Sequence, residues 1–311
     1  MAYLTANSLK GNWATLLLPL TASENIDFDI LDEEIDYLTS IKVDGIYSGG
    51  TAGEFYNLEE EETLRVNEML AKKCHAAAIP FQIGISDTNP KISLKRLNSL
   101  KHLRPSAFQL ILPDWVAPTY SEQAEFLTRI QEKAFPIPLV LYNPPHAKRM
   151  VTPQEFNQLA NLIPGLIGIK VADGDTSWYK AMKPIAAKLA IFVPGHHLAT
   201  GIASGVAAGA YSNIACLSPL GAQRWYALML SDTKEALAIE KLLLGFFRKA
   251  IDPLKNAGYS NPALDKFLAV VGGWSKISTR IRWPYRSVPE ANVDEARKYA
   301  KKALPSFFFE H

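Results

Sequence analysis

The chain has 311 residues, 48% of them hydrophobic, enough to bury one large core or two ordinary ones. Its 33 lysines and arginines against 31 aspartates and glutamates leave a net charge of +2, which excludes the charge bias of a nucleic-acid or membrane-surface binder. The two cysteines, Cys74 and Cys216, stand far apart and outside any C-x-x-C pattern, so a disulfide framework and a zinc knuckle are set aside and a cytoplasmic setting is expected.

In chain order, short apolar runs alternate with amphipathic segments at intervals of roughly thirty residues, the length of a βα unit. The runs cover 15–20, 45–48, 81–85, 108–112, 139–142, 166–170, 191–193 and 210–214. Most lack polar alternation, as expected of parallel strands buried on both faces. The first reads as a strand rather than the apolar core of a secretory signal, because its flank carries a single lysine, Lys10. No run approaches the ~18 residues needed to span a bilayer.

Helical stripes lie between the runs, among them Leu31, Ile35, Leu38 and Ile41, then Trp178, Met182, Ile185 and Leu189. Helix starts are marked as well. Thr152-Pro153-Gln154-Glu155 offers a capping threonine, a first-turn proline and a capping-box glutamate, and Asn89-Pro90 offers a similar start. Glu59 to Glu62, the one block of like charge, suits the positive end of a helix dipole and reads as a solvated face.

The pattern predicts a (β/α)8 TIM barrel over residues 1–231 and a C-terminal helical extension packed on it over 232–311, with helices at 236–250, 263–271 and 293–303. A doubly wound open sheet would want a phosphate-cradling glycine fingerprint after its first strand, and Pro19-Leu20-Thr21-Ala22-Ser23 is not one.

Barrel enzymes carry their chemistry at the C-terminal strand ends. The sixth run ends in Lys170. Desolvation at a barrel mouth disfavours a charged amine, and a neutral amine attacks a carbonyl carbon. Taken alone, such a lysine also reads as a strand-end residue snorkelling to solvent. The fifth run ends in Tyr142, whose phenol can shuttle protons and meets the lysine if the pleat phases agree. After the second run comes Gly49-Gly50-Thr51-Ala52-Gly53-Glu54, a turn whose N–H groups suit a carboxylate and whose Thr51 hydroxyl could relay a proton to Tyr142.

Together, Gly50-Thr51-Ala52-Gly53-Glu54, Leu141-Tyr142-Asn143-Pro144-Pro145 and Gly168-Ile169-Lys170 resemble three signatures of the dihydrodipicolinate synthase/N-acetylneuraminate lyase family. They stand in that family's order and spacing, and the resemblance covers essentially the whole chain. It implies a Schiff-base lyase of the class I aldolase type, acting on pyruvate or a related 2-oxo acid and an aldehyde. It also implies no metal or organic cofactor and a homo-oligomer, usually a homotetramer.

Carried over by residue, the resemblance makes Lys170 the Schiff-base lysine, Tyr142 the proton-handling tyrosine and Thr51 the first threonine of a G-T-T-G-E segment. The backbone of that segment, at Gly50, Ala52 and Gly53, would hold the substrate carboxylate. Tyr211 stands where the family usually has an aliphatic residue whose carbonyl faces the substrate.

Three departures narrow the reading. Ala52 replaces the second threonine and loses its hydroxyl. Trp115 replaces a tyrosine that completes the synthase's proton relay, and an indole N–H donates without carrying a proton onward. Ala147 occupies the offset of the arginine that binds the synthase's second carboxylate, with Lys148 and Arg149 just beyond. They favour a synthase-like aldolase over the true synthase. A non-catalytic 2-oxo-acid-binding homologue stays open.

His196-His197 follows the seventh run without a third ligand at metal spacing, and reads either as pocket lining or as a structural loop. Gly195, Gly201 and Gly205 would suit a phosphate site, a reading with no use for Lys170 and Tyr142. Asp173 and Asp175 read as substrate contacts or, preferably, as caps of the next helix.

Overall fold

The eight strands are β1 (Gly11–Thr15), β2 (Ile46–Ser48), β3 (Phe81–Gly84), β4 (Ala107–Ile111), β5 (Leu139–Asn143), β6 (Leu166–Val171), β7 (Ala190–Phe192) and β8 (Ala207–Tyr211). They pair in sequence order, all parallel, and β8 returns to β1 with Trp13 opposite Tyr211, which closes a barrel. The computed structural model describes residues 3–308, so the first two residues of the expected barrel and the last three of the expected extension lie outside it.

The helices α1 (Phe28–Ser40), α2 (Glu60–Ala77), α3 (Pro90–Leu100), α4 (Tyr120–Ala134), α5 (Pro153–Leu162), α6 (Thr176–Ala186) and α7 (Leu198–Ala203) each follow a strand. The last unit carries two, α8 (Asn213–Leu217) and α9 (Pro219–Ser231). Local chemistry explains several starts. Thr152 caps α5 in a full capping box with Glu155, and Asn89 accepts the Lys91 N–H at 3.0 Å to start α3. The glutamate block does open α2, but its members are not simply solvated: Glu60 binds Arg96 at 2.9 Å, and Glu62 binds Arg282.

Six strands lie within one residue of the expected runs, and two are displaced by three residues or more. The first strand occupies Gly11–Thr15 rather than 15–20, and the eighth Ala207–Tyr211 rather than 210–214. Residues 11–20 are all buried, so hydropathy runs unbroken past the point where the ladder ends. At the other boundary, Ser212 accepts the N–H groups of Ile214 and Ala215 and turns the apolar tail of the run into α8.

Beyond residue 231 come α10 (Thr233–Phe246), a π-helical turn at Phe247–Ile251, α11 (Asp252–Asn256), α12 (Asn261–Gly272) and α13 (Val293–Ala303). The helix expected over 236–250 is thus α10 running into the π turn. One apolar cluster fills the space between strands and helices. A second fills the barrel itself, with Trp13, Tyr47, Val140, Phe192 and Tyr211 stacked inside. Among the described residues no helix is long and apolar enough to cross a membrane.

Candidate active site

A cavity of about 330 Å3 opens above the C-terminal strand ends, and Lys170, Tyr142, Tyr47, Tyr211, Thr51 and Ala52 all line it. The pairing of β5 with β6 sets Tyr142 opposite Lys170, so the two side chains share a pleat phase. Lys170 Nζ lies 4.1 Å from the Tyr142 ring centroid, 5.1 Å from that of Tyr47 and 5.4 Å from that of Tyr211. It donates a 3.1 Å hydrogen bond to the Tyr47 hydroxyl. Three π faces and one acceptor hold the amine, with no carboxylate bonded to it among the described residues.

Tyr47 is the residue that sequence reasoning passed over. It is fully buried, and burial raises its pKa against a bond from Thr15, so the phenol keeps its proton near neutrality. Its ring packs at 4.6 Å against Tyr211, whose hydroxyl bonds Gln82 Oε1 at 2.7 Å. Tyr47 thus belongs to the packed barrel interior and reaches the lysine from below.

The turn after β2 is shaped as an anion nest. Gly49 has φ +64°, and a Cβ there would sit 2.8 Å from the Gly84 carbonyl oxygen. Gly50 lies so close to the Tyr47 ring that a Cβ would approach within 2.2 Å of it, and Gly53 leaves room for the Leu16 carbonyl. The N–H of Glu54 bonds Thr51 O and that of Phe55 bonds Gly50 O. The N–H groups of Thr51 and Ala52 donate to nothing among the described residues, and both residues face the cavity. No hydrogen bond joins the Thr51 hydroxyl to Tyr142 among the described residues.

Trp115 is placed apart from these groups. It is 79% exposed, lines neither this cavity nor the adjoining one, and its carbonyl accepts from Lys148 Nζ at 2.6 Å. Arg149 binds Glu155 and the Pro118 carbonyl.

The α12 helix closes the mouth. Asn261, Leu264, Asp265 and Leu268 step by three, one and three residues along one face and line the cavity. The π turn contributes Phe247 and Ile251, as such wide turns often do at functional sites. The Asp265 carboxyl has no hydrogen-bond partner among the described residues. Burial pushes its pKa up to about 7, with the charge of Lys170 opposing.

The two histidines diverge. His196 lines the cavity, accepts at Nδ1 from the Asn213 Nδ2–H at 2.8 Å and stacks on Phe247. Burial lowers its pKa to about 4, so it is neutral at pH 7. His197 instead pairs with Asp173 at 2.8 Å, and the Tyr179 hydroxyl donates to the same carboxylate at 3.1 Å. Burial works against the charge on Asp173, but those bonds outweigh it and hold its pKa below the ordinary value. Asp175 caps α6 by accepting the Trp178 N–H. Among the described residues no three histidine, cysteine or acidic side chains are placed to share a metal.

Fold and site together define a (β/α)8 barrel with a lysine at the end of its sixth strand and an open amide turn after its second. The chain belongs to the dihydrodipicolinate synthetase family, whose family model matches residues 8–303. It is 24% identical over 302 residues to the 4-hydroxy-tetrahydrodipicolinate synthase of Jannaschia sp., covering 94% of this chain and 96% of that one. To the Bacillus subtilis enzyme of the same name it is 29% identical over 167 residues, 53% of this chain. There the match spans little more than half the relative's length, 57%. Its fold is that of a prophage protein of the dihydrodipicolinic acid synthase family from E. coli K12, solved in complex with pyruvate. The TM-score is 0.83 at 19% identity, over 95% of this chain and 98% of that one.

Proposed function

We propose that the protein is a Schiff-base lyase that links Lys170 to the keto carbon of pyruvate or a related 2-oxo acid and makes or breaks a carbon–carbon or carbon–oxygen bond beyond it. The observation that carries this reading is the placement of the Lys170 amine, ringed by three tyrosines, in one cavity with the unpaired amides of Thr51 and Ala52. Those amides would receive the substrate carboxylate and hold C2 against Nζ. Lys170 attacks C2, Tyr142 or Tyr47 protonates the departing carbinolamine oxygen, and water leaves. The iminium then acts as the electron sink that acidifies C3. No cofactor is needed beyond this covalent link.

Cytoplasmic location and assembly into a homodimer or homotetramer belong to the same reading. They rest on two buried, unpaired cysteines and on the family.

The test is release of pyruvate from a panel of 4-hydroxy-2-oxo acids, followed by a coupled dehydrogenase. Turnover that disappears in Lys170→Ala is the expected result. A wild-type protein that binds 2-oxo acids and releases nothing would make it a sensor.

A further inference from the structure

A second cavity of about 520 Å3 opens beside the first and shares Thr51, Tyr142, Lys255 and Asn261 with it. A group attached to Lys170 therefore meets, at Tyr142, whatever fills the second space. The apolar and aromatic walls there include Phe55, Tyr56, Leu112, Pro144, Tyr259 and Tyr285. Three of the rings form an edge-to-face run, Phe55 to Tyr56 at 5.7 Å and Tyr56 to Tyr285 at 5.1 Å.

Three polar groups on the rim are engaged already. Arg149 is held by Glu155, Asp114 accepts the Lys148 N–H at 2.9 Å, and Asn143 accepts that of Val151 at 2.9 Å. The Ser260 hydroxyl and the side chains of Thr88, His146 and Asn261 have no partner among the described residues, and Lys255 is the one lysine or arginine on the rim without an ion pair among them, and is exposed. A single exposed ammonium, screened by water, adds little to holding a carboxylate. A dicarboxylate would thus lose water here for little return, whereas a flat apolar body gains contact with the aromatic and apolar walls.

The geometry points to an aldehyde with an aromatic body as the second reactant, its ring in this cavity and its carbonyl carbon turned toward Tyr142 and the adduct on Lys170. The assignment rests on the Schiff-base reading and deepens it. In the step, C3 of the enamine attacks the aldehyde carbon and a carbon–carbon bond forms. The carbonyl π pair becomes an alkoxide that takes a proton from Tyr142. Water then hydrolyses the iminium, which frees Lys170 and a 4-aryl-4-hydroxy-2-oxo acid. No oxidant or reductant is involved.

The experiment compares benzaldehyde, aspartate semialdehyde and glyceraldehyde as partners of pyruvate, with products quantified by mass spectrometry. The expected kcat/KM for benzaldehyde exceeds either polar aldehyde by about tenfold or more, the discrimination that a few apolar contacts supply. Tyr259→Ala and Tyr285→Ala should each lower it by about tenfold, mainly through KM, while borohydride trapping of pyruvate stays at the wild-type level. Preference for a polar aldehyde, or unchanged benzaldehyde kinetics in both variants, overturns the assignment.

If pyruvate leaves no adduct on Lys170, the Schiff-base reading fails by itself. Ligand-observed NMR with benzyl alcohol against glycerol then decides the cavity. Binding of benzyl alcohol that weakens in both variants supports it, and equal signals from the two alcohols overturn it.

Discussion

Lys170 is held by π faces and a phenol, and the two tyrosines nearest it have different exposure and so different roles. Tyr142 is half-buried on the rim and borders both cavities, whereas Tyr47 is sealed beneath the amine. Tyr142→Phe keeps the ring under Nζ and removes the proton, so adduct formation should persist while turnover falls by about two orders of magnitude. Tyr47→Phe removes the acceptor bonded to Nζ and should slow adduct formation itself. Single-turnover trapping beside steady-state turnover separates the two. Wild-type turnover in Tyr142→Phe would reduce that residue to a piece of the rim.

Lys170 and Tyr142 were legible in the sequence because each ends an apolar run, and strand ends are where a barrel exposes side chains. Tyr47 was in plain view at the head of the glycine segment. An aromatic residue in a buried strand reads as filling, and only the barrel's curvature brings it under the lysine. Asp265 gave no local signal at all. It lies 95 residues after Lys170 (265 − 170) on a helix of the extension, and only α12 folding over the mouth brings them together.

Among the elements, the join between the amide turn and the extension is the most exposed to disruption. Glu54 ends the turn in a left-handed conformation, φ +51°, with its carboxylate fully buried. Lys266 on α12 donates to Oε1 at 2.6 Å, and the Arg282 N–H donates to Oε2 at 3.1 Å. Lys266 also bonds the Arg280 carbonyl, so one ammonium ties three segments. Burial lowers the Lys266 pKa, with Glu54 opposing.

Removing one partner of such a pair leaves the other charge buried and unpaired, at a cost of about 3–5 kcal/mol. Lys266→Met should therefore lower stability by that order in chemical denaturation. The double variant Glu54→Gln with Lys266→Met should recover part of the loss. A single variant as stable as wild type would mean that the pair contributes nothing. The sequence showed Glu54 as part of a motif and Lys266 as one more charge in a helix. Their pairing across 212 positions exists only in the closed fold.

For the molecule as a whole, the repeat of eight apolar runs was enough to read the barrel, because period survives where boundaries blur. The boundaries that moved furthest, in β1 and β8, are those where buried loop or cap residues continue the apolar pattern. Burial also leaves a pH signature. It raises Glu34 to about 8 and Asp265 to about 7, both above the range of an unfolded carboxyl. The folded chain then keeps protons that the unfolded chain releases, so stability falls as pH rises toward 8. His196, held low, works the other way only below its ordinary value of 6.5. Between pH 6.5 and 8, thermal or chemical denaturation should show a loss of about 1–2 kcal/mol from Glu34 alone. Glu34→Gln should flatten that slope, and a slope unchanged in the variant would assign the proton elsewhere.

The central claim is a covalent bond between Lys170 and a 2-oxo acid, and the most direct measurement is borohydride reduction in the presence of pyruvate, followed by peptide mapping. The expected result is a reduced pyruvyl group on the peptide carrying Lys170, absent from Lys170→Ala and from samples reduced without pyruvate. Label on another lysine, or no label with pyruvate or any other 2-oxo acid, would contradict the claim.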